Sequence, residues 1–338
     1  MKFIDLFAGI GGIRIAFEQH GCECVFSSEI DRFAVETYEQ YFGDKPHGDI
    51  TKIKADSIPS HEILTGGFPC QPFSLAGVSK LQSLGRQHGF ADPTRGSLFF
   101  EIKRIIANRQ PKAFLLENVK NLEGHDGGKT FAVIEKALRS LGYTLSVQVI
   151  DAAGWLPQHR ERIFLVGFHS SLGVKEGEFV FPSPPAKRVD LTEVIEPRVN
   201  PKYVLGDAVW KTLQRHKAYH ESKGNGFGYG LIKRPFKGKT TRTLSARYHK
   251  DGSEILIDRG RGKNPRRLTP LECARLQGFP TDFQQMFSAG VEHPVSDTQA
   301  YRQFGNSVAV PLVTDIAGAI VAMVLAKSNT QGSVAAAI

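Results

Sequence analysis

One cysteine is set apart by its neighbours. Cys70 sits within Gly66-Gly67-Phe68-Pro69-Cys70-Gln71-Pro72-Phe73-Ser74, directly after the short run Glu62-Ile63-Leu64-Thr65. That run reads as the end of a buried strand. Two glycines free the backbone and two prolines stiffen it on either side of the thiol, which presents one side chain at a fixed angle. A cysteine held in this way is a candidate nucleophile; the competing reading is a turn in which Cys70 is a small buried hydrophobe. Two further groups stand beside apolar runs. Glu117 follows Ala113-Phe114-Leu115-Leu116, and Gln158-His159-Arg160-Glu161-Arg162 precedes Ile163-Phe164-Leu165-Val166-Gly167.

A second constellation lies near the N-terminus. Phe3-Ile4-Asp5-Leu6-Phe7 is a buried-strand run, Ala8-Gly9-Ile10-Gly11-Gly12 a turn, and Ile13, Ala16 and Phe17 take helical spacing. Strand, glycine turn and helix open a nucleotide-type α/β unit. It is not the dinucleotide fingerprint, because the third glycine would fall at position 14, which is Arg14. Cys24-Val25-Phe26-Ser27-Ser28 reads as a second strand with Glu29 at its end, where an acid can accept from ribose hydroxyls. Gly48-Asp49-Ile50 reads as a third strand end. Each acid alone is more simply a helix cap or turn residue, but three strand ends facing one crevice suit a cofactor carrying an adenosine. A phosphate-cradling lysine motif is absent.

The elements that must position these groups alternate. Helices are predicted over 31–41, 97–108 and 130–141, and strands over 113–116, 145–149 and 163–167, with Cys70 at a fourth strand end. Such alternation over 1–168 predicts a mostly parallel sheet with helices on both faces and ligands beyond the strands' carboxyl ends. The polar, glycine-containing segment 75–95 is long for a connection, which marks it as functional or disordered. Phe181-Pro182-Ser183-Pro184-Pro185 reads as a linker. Beyond it, short β-like pieces are expected at 241–246 and 254–257. Thr269, Pro270 and Glu272 spell a helix start. Gln303-Phe304-Gly305-Asn306-Ser307-Val308 leads into an apolar helix expected to end near Ala326, with 327–338 a disordered tail.

Composition narrows the class. The 338 residues are 41% hydrophobic and 23% charged, an ordinary globular balance with ample material for a core. The acid-containing N-terminus is unlike a signal peptide, and no uninterrupted apolar run approaches the ~20 residues that span a bilayer. Four cysteines make no disulfide framework and point to a reducing cytoplasm. Cys22 and Cys24 are a poor zinc pattern, so no metal is expected. The net charge of +9 is unevenly placed: residues 187–267 hold 20 Lys and Arg against 8 Asp and Glu, the remainder 23 against 26. A basic excess confined to one segment suggests nucleic acid, since Lys and Arg release counterions from phosphates.

In order, residues 3–12, 28–31, 67–74, 117–119, 158–162, 267–280 and 303–308 match a family. The chain resembles the DNA (cytosine-5) methyltransferases of bacterial restriction–modification systems, most of all those reading CC…GG-type sites. The resemblance implies a catalytic and cofactor-binding domain over 1–181, completed by 300–326. It further implies a smaller, irregular β-rich target-recognition domain over 182–265 and a hinge region over 266–299. Double-stranded DNA would be the substrate and S-adenosyl-L-methionine the methyl donor. The chain would act as a cytoplasmic monomer paired in function with a restriction endonuclease.

Roles follow from the same resemblance. Cys70 supplies the thiolate that adds to carbon 6 of cytosine, Glu117 meets N3, and Arg162, with Arg160 beside it, faces O2 or a phosphate. Phe7, Gly9, Gly11, Glu29, Ile30, Asp49, Ile50, Leu98, Asn306, Ser307 and Val308 form the donor pocket. Phe68 and Pro69 border the target base, and Ser74, Arg95, Thr243 and Leu244 contact DNA. Competing readings are an RNA (tRNA) cytosine methyltransferase, which the large basic segment disfavours, and an orphan regulatory DNA methylase. An oxidoreductase explains neither Cys70 nor Glu117, and a non-catalytic DNA-binding protein would not need Cys70.

Overall fold

The computed structural model describes residues 1–68 and 98–335, with side chains as far as Asn329. Pro69, Cys70, Ser74, Arg95 and the segment 75–95 lie outside the described residues.

The first half builds one sheet. Its elements are β1 (Lys2–Leu6), α1 (Gly12–Glu18), β2 (Glu23–Ser28), α2 (Arg32–Phe42), β3 (Ile63–Gly67), α3 (Leu98–Arg109), β4 (Ala113–Val119), α4 (Lys129–Arg139), β5 (Tyr143–Asp151) and β6 (Glu161–His169). The strand order is β2-β1-β3-β4-β6-β5. The pairings among β1 to β4 are parallel, whereas β6 runs antiparallel to both β4 and β5. The connection from β5 to β6 is too short for a crossover helix, so those two strands must return as a hairpin.

Strand alternation feeds two cores. Phe3, Leu115 and Val166 point to one face and are buried with Ile13, Phe17, Leu312 and Ile316. Ile4, Leu64, Leu116 and Leu165 point to the other and are buried with Phe99, Ile102, Ile134 and Leu138. Both faces are covered, as continuous apolar strands require.

The predicted third strand end is corrected. Residues 48–50 form no strand; the Asp49 carboxylate accepts from the Thr51 amide (3.0 Å) and hydroxyl (2.7 Å) and starts a 3₁₀ turn, Ile50–Lys52. This local capture competes with extended pairing, and only a Ser28–His47 bridge remains. The sheet's third strand is therefore β3, the one that leads to Cys70.

The basic segment is less β-rich than expected. Among the described residues it holds α5 (Leu191–Val194), a 16-residue helix α6 (Asp207–Ser222), and two-residue strands β7 (Leu231–Ile232) and β8 (Leu256–Ile257). Residues 241–246 contribute one bridge, Gln158 to Thr241. Glycines at positive φ, among them Gly224 and Gly226, turn the chain too often for longer strands.

Four helices finish the chain: α7 (Pro270–Leu276), α8 (Thr281–Gln285), α9 (Asp297–Asn306) and α10 (Val310–Ala335). The Thr269–Glu272 capping box with Pro270 opens α7 as predicted. The expected disordered tail is corrected, since α10 continues to Ala335 and Lys327 ion-pairs with Glu178. By length and composition the C-terminal helical stretch could cross a membrane. In this fold α10 is a core helix, with Val313, Ile316, Ile320 and Val324 buried on the sheet face that also carries α1.

Candidate active site

At the carboxyl ends of the parallel strands lies a cavity of about 470 Å³. The turn after β1 supplies Phe7 and Gly9, β2 leads to Glu29 and Ile30, and the 3₁₀ turn brings Asp49 and Ile50. Leu98 enters from α3, and Asn306, Ser307 and Val308 return from the junction of α9 and α10. Ten of the eleven residues assigned to the donor pocket thus meet at one cavity, the exception being Gly11. A Cβ at Gly11 would fall 2.2 Å from the Phe42 ring, so this glycine serves helix packing instead. Gly12 takes its place at the wall: there a Cβ would lie 2.9 Å from Val308 and 3.0 Å from the Ser307 hydroxyl.

Glu29 organises the floor. Its Oε2 accepts from the Gly9 amide at 2.8 Å, and Oε1 accepts from the Ile30 and Asp31 amides at 2.7 and 2.8 Å. Oε2 keeps accepting capacity. Phe7 holds a left-handed φ of 57°, a conformation that non-glycine residues adopt at a cost of order 1 kcal/mol or more. The surrounding sheet enforces it and turns the ring to the cavity.

The same cavity contains Phe68, Glu117 and Arg162. The register of β3 against β4 sets Gly67 opposite Glu117, three residues before Cys70. Glu117 is buried, and the Arg162 Nε lies 3.0 Å from its Oε1. Burial pushes the Glu117 carboxyl above its ordinary range, against the pull of the Arg162 and Arg160 charges. Asn118, to which no role had been assigned, donates from Nδ2 to the Phe68 carbonyl at 2.8 Å and ties the start of the cysteine segment to β4.

Two expected contacts are corrected. Arg160 is 1% exposed and does not line the cavity. Its Nη1 donates to the Leu244 carbonyl and its Nη2 to the Gly305 (both 3.0 Å) and Ser307 carbonyls, so it is a structural tie rather than a group facing the base. Leu244 is fully buried and cannot offer its side chain to DNA, while the half-buried Thr243 donates to the His159 carbonyl at 2.6 Å. Among the described residues no cluster of three metal-ligating side chains occurs.

Residues 1–322 match the family of C-5 cytosine-specific DNA methylases. The chain belongs to that family. This methylase is 51% identical over 322 residues to the type II methyltransferase M.SsoII of Shigella sonnei, covering 95% of this chain and 80% of that protein. It is 50% identical to the type II methyltransferase M.NlaX of Neisseria lactamica, over 98% and 99% of the two chains. It is 47% identical to the DNA-cytosine methyltransferase of Escherichia coli K12, over 94% of this chain and 76% of that one. Among solved structures, S. pombe Dnmt2 methyltransferase superposes with a TM-score of 0.73 at 20% identity, over 97% and 99% of the chains, a likeness of fold. The methylase is a DNA (cytosine-5-)-methyltransferase with type II restriction–modification relatives.

The sequence reading missed Gly12 and Asn118 in this methylase. Both stand inside motifs that were read, one residue beyond the residues singled out. Doubled glycine at 11–12 was the only signal for the former; for the latter, an amide side chain directly after a strand-end acid.

Proposed function

We propose that this methylase transfers a methyl group from S-adenosyl-L-methionine to carbon 5 of a cytosine flipped out of duplex DNA, through a covalent Cys70 adduct. The ion pair of Glu117 with Arg162, in the same cavity as Glu29, carries this reading. The cavity suits the donor: Glu29 accepts from ribose hydroxyls, Phe7, Ile30 and Ile50 flank the adenine, and the small Gly9 and Gly12 leave room for the rest. When bound, the donor supplies an electrophilic methyl group.

The chain's own groups handle the base. A target inside the duplex cannot reach the site and must leave the stack. The Cys70 sulfur forms a bond to carbon 6, and the ring electrons move so that carbon 5 becomes nucleophilic. Protonated Glu117 donates to N3 and balances the charge that the thiolate brings in, while Arg162 holds Glu117 and faces O2. After transfer, a water molecule takes the proton from carbon 5, the electrons of that C–H bond restore the 5,6 double bond as the sulfur leaves carbon 6 as thiolate, and the N3 proton returns to Glu117. Phe68 and Pro69 border the base, Ser74 and Arg95 lie near phosphates, and Thr243 belongs to the base-reading segment. The basic segment reads a short site with a CC…GG core, and modification shields the host's cytoplasmic DNA from a cognate endonuclease.

Two experiments test this. Cys70→Ser is expected to abolish methyl transfer, and a duplex carrying 5-fluorocytosine is expected to be trapped covalently by the intact protein alone; a Cys70→Ser variant with retained activity would overturn the mechanism. Labelled-donor assays on an oligonucleotide library, with tRNA as a parallel acceptor, test the substrate. Strong modification of sites lacking CC and GG, or of tRNA in preference to duplex DNA, counts against it.

A further inference from the structure

We propose that Arg160 is a positioning residue that couples the recognition segment to the donor pocket, so that target DNA and methyl donor each tighten the other's binding. The proposal rests on the donor-pocket reading above.

The strand-like stretch 241–244 is fastened to 157–160 along its length. The Thr241 amide donates to the Pro157 carbonyl at 2.8 Å, and the His159 amide to the Thr241 carbonyl at 2.9 Å. Both backbone groups of Leu244 are held by buried side chains: the amide donates to Gln158 Oε1 at 2.8 Å, and the carbonyl accepts from Arg160 Nη1 at 3.0 Å. The other end of the same guanidinium holds the Gly305 and Ser307 carbonyls. Ser307 stands between Asn306 and Val308 in the cavity wall. One planar group therefore spans the recognition stretch and the pocket wall.

Gly305 brings the two backbones into direct contact. A Cβ there would lie 2.3 Å from the Ala246 amide nitrogen and 2.3 Å from the Ser245 carbonyl carbon, so no side chain fits between them. Gln277 secures the far side, donating to the Phe304 carbonyl. A shift of 241–246 when DNA seats on the basic segment has no slack to dissipate in. It passes through Arg160 and Gly305 to residues 305–307 as a rigid displacement. Arg160 Nε has no partner among the described residues, and its guanidinium bonds only neutral carbonyls. A buried charge held this way is expensive to maintain, which argues for a use that an apolar side chain would not serve. Thermodynamic linkage makes the effect reciprocal.

The test measures the donor dissociation constant of the intact protein with and without a target duplex, in the wild type and in Arg160→Lys. Lysine keeps the charge but offers one compact group that cannot bridge three carbonyls. In the wild type the duplex is expected to lower the donor constant about fivefold or more, a ratio that falls to within about twofold of one in Arg160→Lys. Equal coupling in the two proteins, or none in a wild type that binds both ligands, overturns the proposal. Should Arg160→Lys not fold, hydrogen exchange of the wild type decides. Donor alone is expected to slow exchange at residues 241–248, and unchanged exchange there in a donor-loaded protein overturns the coupling. A wild type that binds no donor would instead sink the proposed function.

Discussion

Glu117 faces two opposed demands. Its burial favours the neutral acid, and the adjacent Arg162 favours the carboxylate. As a proton donor to N3 it acts while protonated, so its contribution fades as pH rises through its elevated pKa. In the proposed mechanism Cys70 acts as thiolate, so its contribution would fade as pH falls. Together the two proposed roles are expected to give a bell-shaped pH dependence of kcat/KM. In Glu117→Gln the descending alkaline limb is expected to disappear, with the peak rate lowered about 10²- to 10⁴-fold and donor affinity retained. Rate measurements from pH 5.5 to 9.5, with calorimetry of donor binding, check both; an unaltered alkaline limb would remove Glu117 from the proton path.

At the scale of elements, the donor pocket depends on how closely α1 approaches the turn before α10. Gly12→Ala places a methyl group at 2.9 Å from Val308 and 3.0 Å from Ser307. The wall must yield by a few tenths of an ångström. The donor dissociation constant is expected to rise about tenfold, near 1.4 kcal/mol, while Gly124→Ala, where no neighbouring atom lies within 4 Å and φ is negative, leaves it unchanged. Within β1 sits a second titrating acid. Asp5 is fully buried, accepts from the Thr65 hydroxyl at 2.8 Å, and has its carboxyl pushed up to about 7, chiefly by burial. In the unfolded chain it ionises in the ordinary carboxylate range. The cost of ionising it in the fold is absent below that range, grows as pH rises, and is complete above about pH 7. Denaturant titrations should therefore show the wild type losing more stability between pH 5 and pH 8 than Asp5→Asn does; parallel losses would show that Asp5 is not the group responsible. Periodicity made the apolar strands and the α7 capping box legible, because burial and local hydrogen bonding are written in adjacent residues. It failed at Asp49, where a side chain outcompeted strand pairing, and at Arg160. That guanidinium's partners stand 84, 145 and 147 residues away, and nothing local marks such bonds.

The whole molecule divides its charge as it divides its labour. The +12 of residues 187–267 is carried on the segment proposed to read DNA, against −3 elsewhere. Duplex affinity should fall steeply with salt, with a slope of log K against log salt near −0.9 for each phosphate neutralised. Replacing Lys233, Lys237 and Lys239 by Gln is expected to make that slope shallower by up to about 3 while leaving donor affinity alone. Filter-binding or anisotropy titrations between 50 and 300 mM salt measure it, and an unchanged slope would move the phosphate contacts elsewhere.

The cavity wall joins segments far apart in the chain, with Phe7–Ile10, Gly12 and Ile13 on one side and Gln303 and Gly305–Val308 on the other. During synthesis, the ribosome therefore delivers this wall after the rest of the cavity lining. A nascent chain could present its cysteine and its recognition segment and still hold no donor. On the proposed function, modification is expected only once translation has passed residue 308 and α10 has docked beside α1. A ribosome stalled before that point would leave a protein able to touch DNA but unable to mark it.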